Sequence, residues 1–375
     1  MNELGLEELV AEIREIIQPL KSAAELQDLL YKSPKDFFTA VCMQAVTLKA
    51  ADIFWKAGAP PSFRLSSRIV QLDIEPLTHD DLEHIFFDNL MSEIQKKKFM
   101  DRPEIDTALE IPDVIRFRVN IYKQRGSIAS VMRLIPLDIP TLEELGLPKV
   151  LSSLVGHKQG MIIITGPTGS GKTTTLAALI DLINTNRRCN IITIEDPIEF
   201  THRDKLSVVS QREVGVDTNN FADALRAVLR QAPDVILIGE MRDQETVSTA
   251  MTAAETGHLI FTTLHTNSAP ETIERVVNMF PPEQKMQICL RLADTLLAVL
   301  SQKLPSTVDK KGRVCAMEVM INTPTISKFI EEGKASLIGP AVTEGAYWGM
   351  QSMNMSLMDH YKAGHITENT AILYA

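Results

Sequence analysis

The segment Met161-Ile-Ile-Ile-Thr165-Gly166-Pro-Thr-Gly-Ser-Gly-Lys-Thr173 decides how the rest of this chain is read. A short apolar, β-branched run reads as a buried strand, and Thr174-Thr-Leu-Ala-Ala-Leu-Ile180 downstream reads as a helix. Between them stands Gly-x-x-x-x-Gly-Lys-Thr, a loop whose glycines let backbone N–H groups curl around phosphate oxygens at a helix N-terminus. The expected nucleotide contacts are Gly166, Pro167, Thr168, Gly169, Ser170, Gly171, Lys172, Thr173 and Thr174. Lys172 is expected to reach the β- and γ-phosphates and Thr173 to ligate Mg²⁺, so ATP and Mg²⁺ are the ligands this stretch implies.

Downstream of the loop, strand candidates recur at Ile191 to Glu195, Val235 to Ile238 and Leu259 to Leu264, with helical patterns between them. Such alternation predicts an α/β fold with a largely parallel sheet. The last hundred residues read as mainly helical. Catalytic carboxylates are sought at the carboxyl ends of the strands, where a phosphate loop would also face. Glu240 closes Asp234-Val-Ile-Leu-Ile-Gly-Glu240 and is expected to hold Mg²⁺ through water or to orient the attacking water. Glu195 closes Ile191-Ile-Thr-Ile-Glu195 and competes for the second of these roles. Asp234, at the start of its strand, reads as a cap or turn residue. His258 and His265 bracket Leu259-Ile-Phe-Thr-Thr-Leu264, without the spacing of metal ligands.

Upstream, residues 1–45 carry apolar positions at helical spacing (Leu9, Ile13, Ile16 and Ile17; Leu26, Leu29 and Leu30) and read as a helical extension. Residues 46–136 mix strands and helices as a small α+β domain. Gly58-Ala-Pro-Pro61 supplies a turn, and Ile115, Phe117 and Val119 alternate with Arg116, Arg118 and Asn120 as on a half-buried strand. Two prolines, Pro136 and Pro140, mark a linker over 137–146, with a capped helix expected to begin near Thr141. Residues 147–375 form the second domain.

The chain has 375 residues, 45% of them hydrophobic and 23% charged, which suits two globular domains with real cores. A net charge of -10 argues against nucleic acid as a partner, because phosphate neutralisation needs clustered Lys and Arg. Cys42, Cys189, Cys289 and Cys315 are too far apart for a metal-ligand pattern and read as reduced thiols. No secretion signal or apolar stretch of transmembrane length is read, so a cytoplasmic protein is expected.

The order of motifs resembles a known family. Gly166 to Thr173, Ile-Glu-Asp-Pro-Ile-Glu-Phe200, Gln211-Arg-Glu213, Gly239-Glu-Met-Arg-Asp243 and Ala254-Glu-Thr-Gly-His258 through Thr263-Leu-His265 are similar to the secretion-type ATPases of type IV pili, within their PilT/PilU retraction branch. Leu229-Arg-Gln-Ala-Pro-Asp234 and the stretch from Gly312 to Pro324 lean toward the PilU side, as does the departure of Thr325-Ile-Ser-Lys-Phe-Ile-Glu-Glu332 from the PilT pattern. The resemblance implies a RecA-like P-loop NTPase domain preceded by a smaller α+β PAS-like domain, assembled as a homo-hexamer. It also implies an inner-membrane pilus platform protein as partner, a PilT-type ATPase as a further one, and a place at the inner face of that membrane. Glu195 would lie in the aspartate box, Glu240 in the Walker B segment, and His258 and His265 in the histidine box. Arginines of the first domain would reach the γ-phosphate, with Arg116, Arg118, Arg125 and Arg133 as candidates. The implied task is ATP-driven pilus retraction. An accessory ring acting beside a PilT motor and an extension or secretion ATPase are the alternatives, the last disfavoured by the lack of a four-Cys zinc cluster.

Overall fold

The computed structural model describes residues 21–65, 68–111, 115–135, 139–310 and 312–375. The expected helical positions Leu9, Ile13, Ile16 and Ile17 lie outside the described residues. The chain divides into two compact units, 1–137 and 138–375.

In the first unit, helices α1 (Ala23–Lys32) and α2 (Pro34–Thr47) precede the strands β1 (Asp52–Lys56), β2 (Ser62–Leu65) and β3 (Arg68–Gln71). After a π-helix (Glu83–Leu90) and α3 (Glu93–Asp101) come β4 (Glu104–Ile111), β5 (Ile115–Gln124) and β6 (Ser127–Ile135). The strands form one antiparallel sheet in the order β3-β2-β1-β6-β5-β4. Along β5 the alternation read from sequence holds, with Ile115, Phe117, Val119 and Ile121 buried. A two-residue turn joins β5 to β6; both of its residues, Arg125 and Gly126, have positive φ, the geometry that matches strand twist in a tight hairpin. Leu26, Leu30, Phe37, Phe38 and Val41 from α1 and α2 pack into one core with Trp55, Phe86 and Phe117. Residues 23–47 therefore belong physically to the same core as the sheet, across the boundary expected near residue 45. The apolar face of a helix must be buried against something, and here the sheet supplies it.

The second unit is a seven-stranded sheet in the order β13-β12-β7-β11-β10-β8-β9, from β7 (Gly160–Thr165), β8 (Asn190–Glu195), β9 (Val208–Glu213), β10 (Val235–Ile238), β11 (Leu259–Leu264), β12 (Leu296–Lys303) and β13 (Ala316–Ile321). All neighbours are parallel except β12 and β13. β7 and β11 are buried along their whole length, because helices cover both faces. Alternate residues feed opposite cores: Met161, Ile163, Ile192, Ile194, Ile236 and Ile238 on one side, Ile162, Ile164, Ile191, Val235 and Leu237 on the other. The second side is covered by α4 (Lys172–Asn186) through Leu176, Leu179, Ile180 and Ile183. The first is covered by helices that include α5 (Phe221–Val228), α6 (Gln244–Glu255), α7 (Ala269–Asn278) and α8 (Lys285–Thr295).

One expectation is incomplete and another is corrected. The last hundred residues are mainly helical, as read, but β12 and β13 also lie there, and β12 is the direct neighbour of β7. Leu296-Leu-Ala-Val-Leu300 follows α8 with no Gly or Pro between them, so periodicity alone reads it as more helix. The segment after Thr141 has its capping box, with Glu144 N–H donating to Thr141 Oγ1 and Thr141 N–H to Glu144 Oε2. It then forms hydrogen-bonded turns up to Leu147 rather than an α-helix. Cys42, Cys289 and Cys315 are buried, Cys189 is half-buried, and all four are free. Among the described residues, no helix is long and apolar enough to cross a membrane.

Candidate nucleotide site

The register of the parallel strands carries the site. Thr165 pairs with Leu264, Thr262 with Ile238, and Ile238 with Ile194. The residues that follow these positions (Gly166, His265, Glu240 and Glu195) therefore emerge along the same carboxyl edge of the sheet, where ligands of open α/β sheets bind. Three cross-links pin that edge: Gly239 N–H donates to Ile194 O (2.8 Å), Thr263 Oγ1 to Gly239 O (2.6 Å) and Met241 N–H to Thr263 O (3.3 Å).

A cleft of 580 Å³ opens there, lined among others by Thr168, Gly169, Gly171, Lys172, Thr173, Thr174, Glu195, Glu240 and His265. Gly166 turns the chain out of β7 with φ +142°, and a Cβ on it would stand 2.3 Å from Gln302 O and 2.6 Å from Ser170 Oγ. The loop's curl thus requires glycine and depends on β12 beside it. Lys172 is buried; its ammonium donates to Gly166 O (2.8 Å) and Pro167 O (3.1 Å). Burial lowers its pKa, against the pull of Glu240 and Glu199. α4 begins at Gly171 with no side-chain cap, so its N-terminal N–H groups face the loop. Ser170 Oγ is buried without a partner.

The two glutamates differ in setting. Glu195 is 8% exposed and its Oε1 accepts from Thr193 Oγ1 (2.6 Å) and Gln211 Nε2 (3.1 Å). Burial pushes its pKa up to about 7, although these hydrogen bonds act the other way. Glu240 is less enclosed. Its Oε2 lies 2.8 Å from Arg242 Nε and its Oε1 3.4 Å from His265 Nε2. Asp234, at the opposite end of β10, accepts from Asn190 N–H (2.8 Å) and is the turn residue expected of it.

His258 is not brought to the cleft. It precedes β11 at the amino edge of the sheet, its Nδ1 2.8 Å from Ala253 O, while His265 follows β11 six strand residues later. At the rise of an extended strand the two are on the order of 20 Å apart. The arginines expected to act belong to the first unit. Arg118 and Arg133 are cross-strand neighbours on β5 and β6, and Arg133 Nε donates to the buried Asp52 (3.0 Å), which Arg64 also holds (2.8 Å). Arg116 is half-buried on the same strand face as Arg118, and Arg125 sits in the β5–β6 turn.

Several cleft residues carry no role from sequence. Arg242 and Glu199 stand inside quoted motifs, two and four residues after the glutamates that drew attention. Arg313 stands in the quoted stretch from Gly312 to Pro324, without a role read for it, and His202 had no local signal. Arg313 comes from the segment between β12 and β13 and reaches Gly169 O at 3.5 Å, a contact that only the β12–β7 pairing creates. Burial lowers the pKa of His202 to about 4, so its ring is neutral.

The chain is similar to known proteins along most of its length. Residues 92–339 match the family described as type II/IV secretion system protein. The type IV pilus retraction ATPase PilT of Pseudomonas aeruginosa is 44% identical over 322 residues, 86% of this chain and 93% of that protein. The type IV pilus ATPase PilU of the same organism is 40% identical, over 87% of this chain and 85% of its own length. The expected lean toward PilU is thus not carried by overall identity. A crystal structure of the pilus retraction motor PilT with bound ADP superposes with a TM-score of 0.83, at 44% identity, over 89% of this chain and 96% of that one. A phosphate loop and two carboxylates on the carboxyl edge of one parallel sheet, in a chain alike over nearly its whole length to these proteins, place it in the type II/IV secretion system protein family, among the PilT/PilU pilus ATPases.

Proposed function

We propose that this chain is an ATP-driven motor for type IV pilus retraction, working as a homo-hexamer in the cytoplasm at the inner face of the inner membrane. The observation that carries the reading is the convergence of the phosphate loop, Glu195 and Glu240 on one cleft, in a chain 44% identical to a retraction ATPase along 93% of that protein. A pilus platform protein in that membrane is the partner the task requires.

The residues present fit a nucleotide and Mg²⁺. Ser170 Oγ is a buried polar atom awaiting a partner, Gly166 leaves the loop backbone open, and the α4 N-terminus is uncapped. Thr173 and Glu240 offer the oxygen donors that Mg²⁺ prefers, Glu240 through water. Bound there, the ion would neutralise charge on the phosphate oxygens. Lys172 exchanges its loop carbonyls for phosphate oxygens, and the α4 N–H groups add to that field. Glu195 receives the proton of the attacking water: a carboxyl with a pKa of about 7 is poised to take and give up a proton near neutrality. Glu240, tied to Arg242 and His265, is the oriented anion. One of Arg116, Arg118, Arg125 and Arg133 supplies positive charge to the γ-phosphate, and its release after hydrolysis frees the domains to move.

Steady-state ATP turnover of the purified chain tests the reading. Lys172→Ala should abolish it, and retained hydrolysis would overturn the assignment of the loop. The 40% identity to PilU favours a second reading, an accessory ring beside a PilT-type ATPase. Turnover near zero alone and stimulated by such a partner would select it.

A further inference from the structure

We infer that Gln211 is a positioning residue that clamps the Glu195 carboxylate to the loop 197–203, an inference that rests on Glu195 being the base proposed above. Gln211 lies on β9, outside the cleft lining, and opposite Thr193 in the parallel β8–β9 register. Its amide is fully engaged: Nε2 donates to Glu195 Oε1 (3.1 Å) and to Phe200 O (2.8 Å), and Oε1 accepts from His202 N–H (2.7 Å). Three attachments, two of them backbone groups of one loop and the third a carboxylate, need a side chain with a donor end and an acceptor end in fixed relation. Among side chains of this length only an amide has both. Thr193 donates to the same Glu195 oxygen, so neighbouring residues of two strands hold one carboxylate atom of a residue that lines the cleft. Phe200 and His202, the two loop residues Gln211 grips, line that cleft too. The clamp therefore sets the carboxylate and the cleft wall together, and movement of the loop is transmitted to the base.

The charged and titratable groups around Glu195 are Asp196, Glu199 and His202 in its own loop, Arg212 and Glu213 on β9, Glu240 after β10 and Lys172 on α4. Of these, Glu199 raises the Glu195 pKa and its backbone N–H lowers it, while the Gln211 amide favours the ionised form. Removing the amide should therefore make the carboxyl harder to ionise, which a merely structural role for Gln211 would not do.

The test is the pH profile of ATP turnover by the full chain, for the unsubstituted protein, Gln211→Met and Gln211→Asn. The acid limb should move up by about half a pH unit or more in both variants, with kcat lowered and KM for ATP little changed. An unmoved limb with reduced kcat overturns the clamp. A second readout needs no turnover: the melting-temperature difference between each protein and its Glu195→Gln counterpart, followed with pH, should shift to higher pH by the same amount in the Gln211→Met background. Should Gln211→Met not fold, Gln211→Asn carries both measurements. Retained turnover in Glu195→Gln alone would overturn the base assignment itself, a result distinct from an unmoved limb.

Discussion

Arg242 Nε lies 2.8 Å from Glu240 Oε2, joining a guanidinium to the carboxylate two residues before it at the mouth of the cleft. With His265 on the other oxygen, Glu240 is held from both sides at the end of β10. The pair is partly solvated, Arg242 being 63% exposed, so it contributes little to folding; its worth is in orienting a charge at the site.

Arg242→Ala should accordingly leave the melting temperature near that of the parent while lowering kcat by roughly tenfold or more, the scale of losing one oriented electrostatic contact in an active site. Thermal melts beside steady-state kinetics check this, and equal losses in stability and kcat would contradict it.

Glu195→Gln separates stability from activity. The folded-state pKa of Glu195, about 7, is raised above the ordinary 4.5, so the folded form binds the extra proton between these values. Its contribution is present in full below about pH 4.5 and is lost as pH rises through 7, on the order of 3 kcal/mol by pH 8. The glutamine variant, neutral at every pH, should melt several degrees above the parent at pH 8 and show no such gain at pH 4.5, while ATP turnover is lost.

Gly166→Ala should disrupt the loop. The added methyl would stand 2.3 Å from Gln302 O, a backbone atom of β12, at a φ of +142° that side chains avoid. Strain and overpacking together cost roughly 2–4 kcal/mol, and binding of a fluorescent ATP analogue should fall with it. Unchanged binding would mean that the loop relaxes independently of β12.

The two histidines should part company. His265→Ala removes a contact to Glu240 and should reduce kcat, whereas His258→Ala removes a hydrogen bond to Ala253 O at the far edge of the sheet. The second variant should lose about 1 kcal/mol of stability and bind the ATP analogue as the parent does. Weakened binding by His258→Ala would show a longer-range role.

Four of the seven strands of the second unit were legible beforehand, near Met161, Ile191, Val235 and Leu259, because each is a short β-branched run closed by polar residues. The edge strand β9, Val208-Val-Ser-Gln-Arg-Glu213, is half-polar and offers no such run; β12 runs on from a helix without a break. Glu195 and Glu240 were legible as strand-end carboxylates. What separates them was not, since burial and partners such as Gln211 and Arg242 are properties of the packed sheet.

From residues alone came the phosphate loop, the parallel α/β architecture around it and the carboxylates of the carboxyl edge, all of which depend on neighbours close in sequence. The strand order placed β12 against β7, brought Gln302 and Arg313 to a loop more than a hundred residues earlier, and carried His258 away from the site that His265 joins. Those outcomes depend on which strands pair, and pairing is decided by burying both faces of one sheet, a requirement that the whole unit satisfies together and no single segment states.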